Sequence, residues 1–450
     1  MSPGEQLVFS DAEMRRRRAA FGAELEHSGV SCALVYGANR SGSAVSWLTG
    51  WPVTREALLV AGTDTDDDVL LVSFFNHVPQ ARRLSVARVE WAGASAVATA
   101  LEVIAARGWL PGRIGVVGAL PFSQYRLLAG GVPDVVDLNA AYTGLRLVKS
   151  AEEIAALRRG AALSDAAIAA LAQSLRPGVS DHEVLARSEQ AYVAQGGMHH
   201  IHYLGVTAMD EPALAVPAQW PTGRLIRHRD VVTCEISAAA APEYAGQVLR
   251  TFTVGAPPTA VYSDLHAVAD AAFNAIARKL LPGTGAGDLA AAAALIDEAG
   301  FTGIDDLMHG FGGGYLPPVV PAPGRPLPMP DFTVTAGMTV VVQPNVVTRD
   351  GRAGVRTGEL LHVTESGPQR LHTFPQGLQQ AGLPAQKLTL TTPDNPVTEQ
   401  LSTPPSNVQL PSRDTSRGGL GSHADTSQVC VLDADSSRVH ESPKTSLRPQ

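Results

Sequence analysis

At 450 residues the chain exceeds what one core ordinarily holds, so two or three domains are expected, with two folded ones as the starting count. Hydrophobic residues at 45% and charged residues at 17% suit a soluble globular protein rather than a disordered or membrane one. A formal net charge of −8 gives no basic footprint for phosphate backbones, so nucleic acid is not an expected partner.

The first helix spans residues 11 to 29 and is ended by Gly29. Its run Arg15 to Arg18 is followed by "AAFGAELEHSGV" rather than an unbroken apolar stretch, so it reads as a solvated helix face and not as an export signal. No run approaches the ~18 apolar residues that cross a bilayer, and no membrane partner is expected. "SCALVYG", "EALLVAG", "DVLLVSF" and "RIGVVG" read as short buried strands, with a helix over residues 94 to 107. This alternation makes residues 1 to 145 a compact α/β domain.

A new pattern starts at "LRLVKSAEEIAALRRGAALSDAAIAALAQSLRPG", where Ser150 and Glu153 form a capping box ahead of a helix stopped by Pro177 and Gly178. A helix, Pro-Gly, helix unit recurs as "HAVADAAFNAIARKLLPGTGAGDLAAAAALIDEAG", which suggests two related halves. Each half continues into paired strands. "DVVTCEIS" and "AGQVLRTFTVG" form one hairpin, and "MTVVVQPNVV" and "LLHVTESG" form its counterpart. Residues 146 to 384 are thus a second domain. Residues 385 to 450 are rich in Ser, Thr, Pro and charge, and read as a disordered tail.

Several residues stand out chemically. Gln343 puts an amide into a run of β-branched residues in an otherwise buried strand. His309, followed by Gly310 and by Gly312 to Gly314, is the best single candidate for carrying a proton near neutral pH. The glycine triplet lacks a following lysine and helix start, so it reads as a loop where backbones pack closely and not as a phosphate cradle. "HHIHY" holds His199, His200 and His202, and an extended chain would put His200 and His202 on one face. Such a cluster could bind zinc, but it more often lines a cavity. "GYLPPVVPAPGRPLPMPDF" reads as a rigid lid or a dimer-facing loop. Cys32, Cys234 and Cys430 lie far apart without zinc spacing, so a reducing cytoplasm is the expected setting.

The ordered motifs "RLVKSAEEI", "RPGVSDHEV", "RTFTVG", "HGFGGG", "GMTVVVQP", "VTESG" and "FPQGL" resemble the creatinase, prolidase and aminopeptidase P family. The resemblance covers residues 11 to 378 and implies an α+β protein: a pita-bread catalytic domain preceded by a creatinase-like N-terminal α/β domain, assembled as a homodimer. Family peptidases hold two divalent metals with two aspartates, a histidine and two glutamates. In this chain the resemblance puts Glu235 and Gln247 at the aspartate positions, His309 at the histidine, Gln343 at the first glutamate, and Gly358, with Glu359 beside it, at the last. Amide oxygens do not neutralise a cation, so no dinuclear centre and no other cofactor is expected.

The resemblance also offers a precedent, since creatinase cleaves a C–N bond without metal. Its substrate-gripping glutamate corresponds to Leu249, and "GVTAMDEPAL" lacks its histidine, so creatine itself is not the expected substrate. The expectation is a metal-independent hydrolase acting on an amide or amidine-type bond of a small polar molecule. His309, Glu235 and Glu359 would be catalytic. Gln247, Gln343, Arg250, His200, His202, Tyr315 and Arg356 would bind substrate. The alternatives are a non-catalytic binding protein and an Xaa-Pro-type metallopeptidase.

Overall fold

A computed structural model of the chain describes residues 9 to 382 apart from 40, 111, 323, 324 and 326. Helix α1 (Asp11–His27) begins at Ser10, whose hydroxyl accepts from the Glu13 amide, and the chain turns at Gly29 with φ of 63°. The arginine run is not the solvated face expected. Arg15 and Arg16 are exposed, but Arg17 and Arg18 are buried. The Arg17 side chain donates to Glu13 at 2.7 Å and stacks on Phe9 at 3.9 Å, and Arg18 pairs with Asp68. Burying a guanidinium is tolerable only with such partners, and a residue count along the helix does not reveal them.

The N-terminal part is a six-stranded sheet of β1 (Cys32–Ala38), β2 (Glu56–Gly62), β3 (Val69–Val72), β4 (Arg88–Trp91), β5 (Ile114–Val117) and β6 (Val135–Asp137). The spatial order is β4-β3-β2-β1-β5-β6, with β1/β2 and β2/β3 antiparallel and the outer pairs parallel. Five helices accompany it beside α1: α2 (Ala44–Thr49), α3 (Val78–Leu84), α4 (Ala96–Ala106), α5 (Phe122–Gly131) and α6 (Asn139–Leu145). Apolar side chains fill both faces of this sheet, which is why its strands read as continuous apolar runs.

The capping box at Ser150 forms as expected and opens α7 (Ala151–Ser174). A second box, Ser180 with Glu183, opens α8 (Asp181–Val193). After these helices come β7 (Met198–Ala208), β8 (Asp230–Ala239) and β9 (Ala245–Val254). The second half repeats the plan with α9 (Ala260–Lys279), α10 (Ala286–Ala291) and α11 (Leu295–Glu298). Its strands are β10 (Thr302–Gly303), β11 (Asp306–Phe311), β12 (Tyr315–Pro321), β13 (Thr339–Val342), β14 (Val346–Val347) and β15 (Gly358–Thr364). Short strands β16 (Gly367–Arg370) and β17 (Gln379–Ala381) close the sheet, while β10 and β14 form a separate two-stranded ribbon.

The large sheet runs β12-β11-β13-β15-β9-β8-β7. Two antiparallel half-sheets, β7-β8-β9 and β15-β13-β11, meet where β9 pairs with β15. The halves inferred from the repeated helix units therefore correspond to the two wings of one sheet. Helix α7 lies directly on β9, where a Cβ on Gly160 would come within 2.6 Å of the Tyr244 carbonyl oxygen. The start of the proline-rich stretch forms edge strand β12 instead of the lid or loop expected of it. All these elements fall within one compact unit, Met1–Lys387. The expected tail lies outside the described residues.

Candidate active site

Strand parity assembles the site. Glu235 opposes Leu249 and Ser237 opposes Gln247 across the β8–β9 hairpin, so Glu235 and Gln247 share a face. From the other half-sheet come His309 on β11 and Gln343, one residue past β13. With Arg356 they line a cavity of about 440 Å³, which His200 and Tyr315 also border.

His309 is buried, and its Nδ1 lies 3.0 Å from the Gly310 carbonyl oxygen. A carbonyl only accepts, so this nitrogen carries the proton and Nε2 is left as the acceptor. The ring stacks on Tyr315 with centroids 4.2 Å apart. Burial lowers the imidazole pKa, against the opposing pull of the Gly310 carbonyl, of Asp306 and Asp305 and of the Gln343 side chain, so His309 is neutral at pH 7. The neighbouring glycine is required, because a Cβ on Gly310 would lie 2.3 Å from the Pro317 carbonyl oxygen.

Burial pushes the Glu235 pKa up to about 7, opposed by Arg356 and reinforced by Asp305. Arg356 Nη1 stands 3.7 Å from the Glu235 carboxylate and donates to Asp305 at 2.9 Å. One guanidinium thus serves two carboxylates. Gln247 Nε2 donates to Gln343 Oε1 at 3.0 Å, which leaves Gln247 Oε1 as an acceptor and Gln343 Nε2 as a donor for a ligand.

Three residues expected in the site lie outside the cavity. Gly358 pairs with Leu249 and takes the cavity face, so Glu359, one residue on, faces away. Glu359 is fully buried between Arg250 at 2.7 Å and Arg370 at 2.9 Å. Burial works to raise its pKa, but the Arg370 and Arg250 contacts outweigh it and hold the carboxyl below its usual range. Arg250 also donates to the carbonyls of Leu249, Gly358, Phe374 and Pro375. A substrate-facing role for either residue is replaced by a structural one.

His202 is the third. A bulge in β7 inserts His200 between the pairs His199–Ala238 and Ile201–Ser237. His200 and His202 therefore part company, and His202 instead contacts the Ile201 carbonyl and the Tyr192 hydroxyl. Burial brings its pKa down to about 4.

The sequence reading missed Tyr203, Asp305 and Asp306, all of which line the cavity. Asp306 accepts from the Tyr315 hydroxyl at 2.6 Å. Asp305, just before β11, and Asp306, at its start, both precede a register shift, so strand parity counted back from His309 does not reach them.

Residues 155–365 match the model of metallopeptidase family M24. A curated relative, the probable dipeptidase PepE of Mycobacterium tuberculosis, is 30% identical over 243 residues, which are 52% of this chain and 60% of that protein. The chain therefore spans about 60% of the length of the PepE relatives it matches. Among solved structures, dipeptidase PepE from Mycobacterium ulcerans superposes with a TM-score of 0.68 at 22% identity, covering 84% of this chain and all of the other. X-Pro aminopeptidase from Thermotoga maritima gives 0.70 at 16% identity, covering 81% and 99%. Residues 155–365 are thus similar to family M24, the creatinase, prolidase and aminopeptidase P group, and the chain has the pita-bread fold with its N-terminal domain.

Metallopeptidase chemistry in this group rests on the two-metal donor set, and the residues here do not fit it. Of the five positions, Glu235 and His309 offer ligating side chains, and Glu235 already faces Arg356. The Gln343 oxygen accepts from Gln247. Gly358 has no side chain, and a Cβ there would stand 2.5 Å from the Val342 carbonyl oxygen and 2.9 Å from Gln343 Cα. Asp305 and Asp306 are engaged by Arg356 and Tyr315. Two dications bring four positive charges that amides cannot offset.

Proposed function

We propose that this chain hydrolyses a C–N bond, of the amide or amidine type, in a small polar substrate, and does so without the dinuclear centre of its relatives. The similarity of residues 155–365 to a peptidase family supports the bond class. The observation that carries the mechanism is the neutral His309, with Nε2 left as a proton acceptor in a cavity that also holds Glu235 and Arg356. Water attacks the substrate carbon while His309 Nε2 takes the proton it sheds. Charge developing on the substrate oxygen or nitrogen is met by Arg356 and by Glu235 in its protonated form. Collapse breaks the C–N bond, its electron pair stays on nitrogen, and His309 returns the proton there. Gln247 and Gln343 orient the polar ends of the substrate through their unused amide atoms. Assembly as a homodimer and a cytoplasmic setting belong to the same proposal.

Turnover of small amides, dipeptides and amidines by chelator-stripped protein tests this reading. Activity should survive stripping, and His309→Gln should lower kcat by about a hundredfold or more. Two bound ions that are lost in both His309→Ala and Glu235→Gln, with chelator-sensitive peptide cleavage, would restore the metallopeptidase reading. The absence of turnover with every class, together with saturable ligand binding, would favour a non-catalytic binding role. The amides and glycine at three of the five ligand positions are what support that second reading.

A further inference from the structure

In an unbroken strand, residues three apart face opposite sides of a sheet. In β7 they do not, since the ring centroids of His199 and His202 lie 4.5 Å apart. The bulge at His200 supplies the extra residue that turns the two rings to one side. Glu189, on α8, completes a group whose donor atoms all lie within 4.8 Å of one another, and among the described residues no other trio of His, Cys, Asp or Glu converges in this way.

We propose that Glu189, His199 and His202 bind a single divalent cation of the zinc class. Two imidazoles and a carboxylate are a zinc donor set, and donors held tetrahedrally around zinc stand roughly 3.3 Å from one another. His199 Nδ1 and Glu189 Oε1 are already 3.4 Å apart, and a His202 donor lies within 4.8 Å of both. A second observation points the same way. A ligating histidine ordinarily donates its other ring N–H to a carbonyl or carboxylate. His202 Nδ1 is held by the backbone, 2.6 Å from the Ile201 carbonyl oxygen and 3.3 Å from the Ser237 N–H, and this turns Nε2 toward the Tyr192 hydroxyl, 3.1 Å away. On binding, the cation takes the lone pair that Tyr192 now occupies. His199 is exposed, leaving a fourth coordination position for water.

The site lies away from the family metal positions and does not depend on the proposed hydrolysis. His199 borders a second cavity of about 490 Å³, and His200, held by the same bulge, borders both that cavity and the candidate active site. A cation here would tie β7 to α8 and fix the bulge that aims His200.

The test is zinc titration of the chelator-stripped full chain by calorimetry, with X-ray absorption on the loaded protein. One equivalent is expected, with nitrogen and oxygen neighbours that include two imidazoles. His199→Ala and Glu189→Gln, both at partly exposed positions that should leave the fold intact, should each weaken binding roughly tenfold or more. His309→Ala and Glu235→Gln should leave it unchanged. The proposal is overturned by the absence of a stoichiometric equivalent, by binding indifferent to His199→Ala, or by binding lost in His309→Ala.

Discussion

A single carboxyl shows how the cavity trades stability for chemistry. Glu235 has a folded-state pKa of about 7 against an ordinary 4.5, so its environment favours the protonated form. The sign follows: the fold is unpenalised below pH 4.5 and loses stability as pH rises toward and through about 7, by up to about 3 kcal/mol. Glu235→Gln should therefore raise the denaturation midpoint at pH 8, and its advantage should vanish near pH 4.5, while turnover falls. Equal midpoints at both pH values would show that the carboxyl is not held in this way. At this scale sequence motifs found most of the cavity, because His309, Gln343 and Gln247 fall at the family's ligand positions. Asp305 escaped because it precedes its strand, and His202 was misplaced because nothing in "HHIHY" announces a bulge.

Among the elements, β15 decides most. A one-residue change of parity separates Gly358, on the cavity face, from Glu359, which is clasped by Arg250 and Arg370. Removing one member of a buried ion pair costs about 3–5 kcal/mol, so Glu359→Gln should lower stability by that order in chemical denaturation. Its kcat, measured on the folded fraction, should stay near wild type. A selective loss of turnover would return Glu359 to the site. Gly358→Ala should cost about 1–3 kcal/mol through crowding against Val342 and Gln343. For the same reason, restoring carboxylates at positions 247 and 343 alone should not create a two-metal centre, as elemental analysis would show. The sequence could not settle this register, since "RTGELL" reads equally well with either residue turned inward.

For the whole molecule, the junction between the two sheets is built from charge. Arg17 on α1 contacts Glu13, Glu153 and the Tyr244 hydroxyl, and Trp47 on α2 donates to Glu153 at 3.0 Å. Arg17→Ala should destabilise by roughly 3 kcal/mol or more, whereas exposed Arg15→Ala should change little. Thermal melts of the two variants make the comparison, and equal melting points would remove Arg17 from the junction. Strand and helix order was legible from periodicity and capping residues. This joint was not, because its partners are separated in sequence by as many as 227 residues.

The seam between the half-sheets has a further consequence. Backbone pairing there is confined to Gly358 with Leu249 and Glu359 with Val248, and Arg250 laces the same spot. The pocket draws its walls from both wings, so those links, with the apolar cluster that packs both wings under α7, set how its two sides are held. Because the Glu359 carboxyl is depressed, acid slackens these links as pH falls through its folded value.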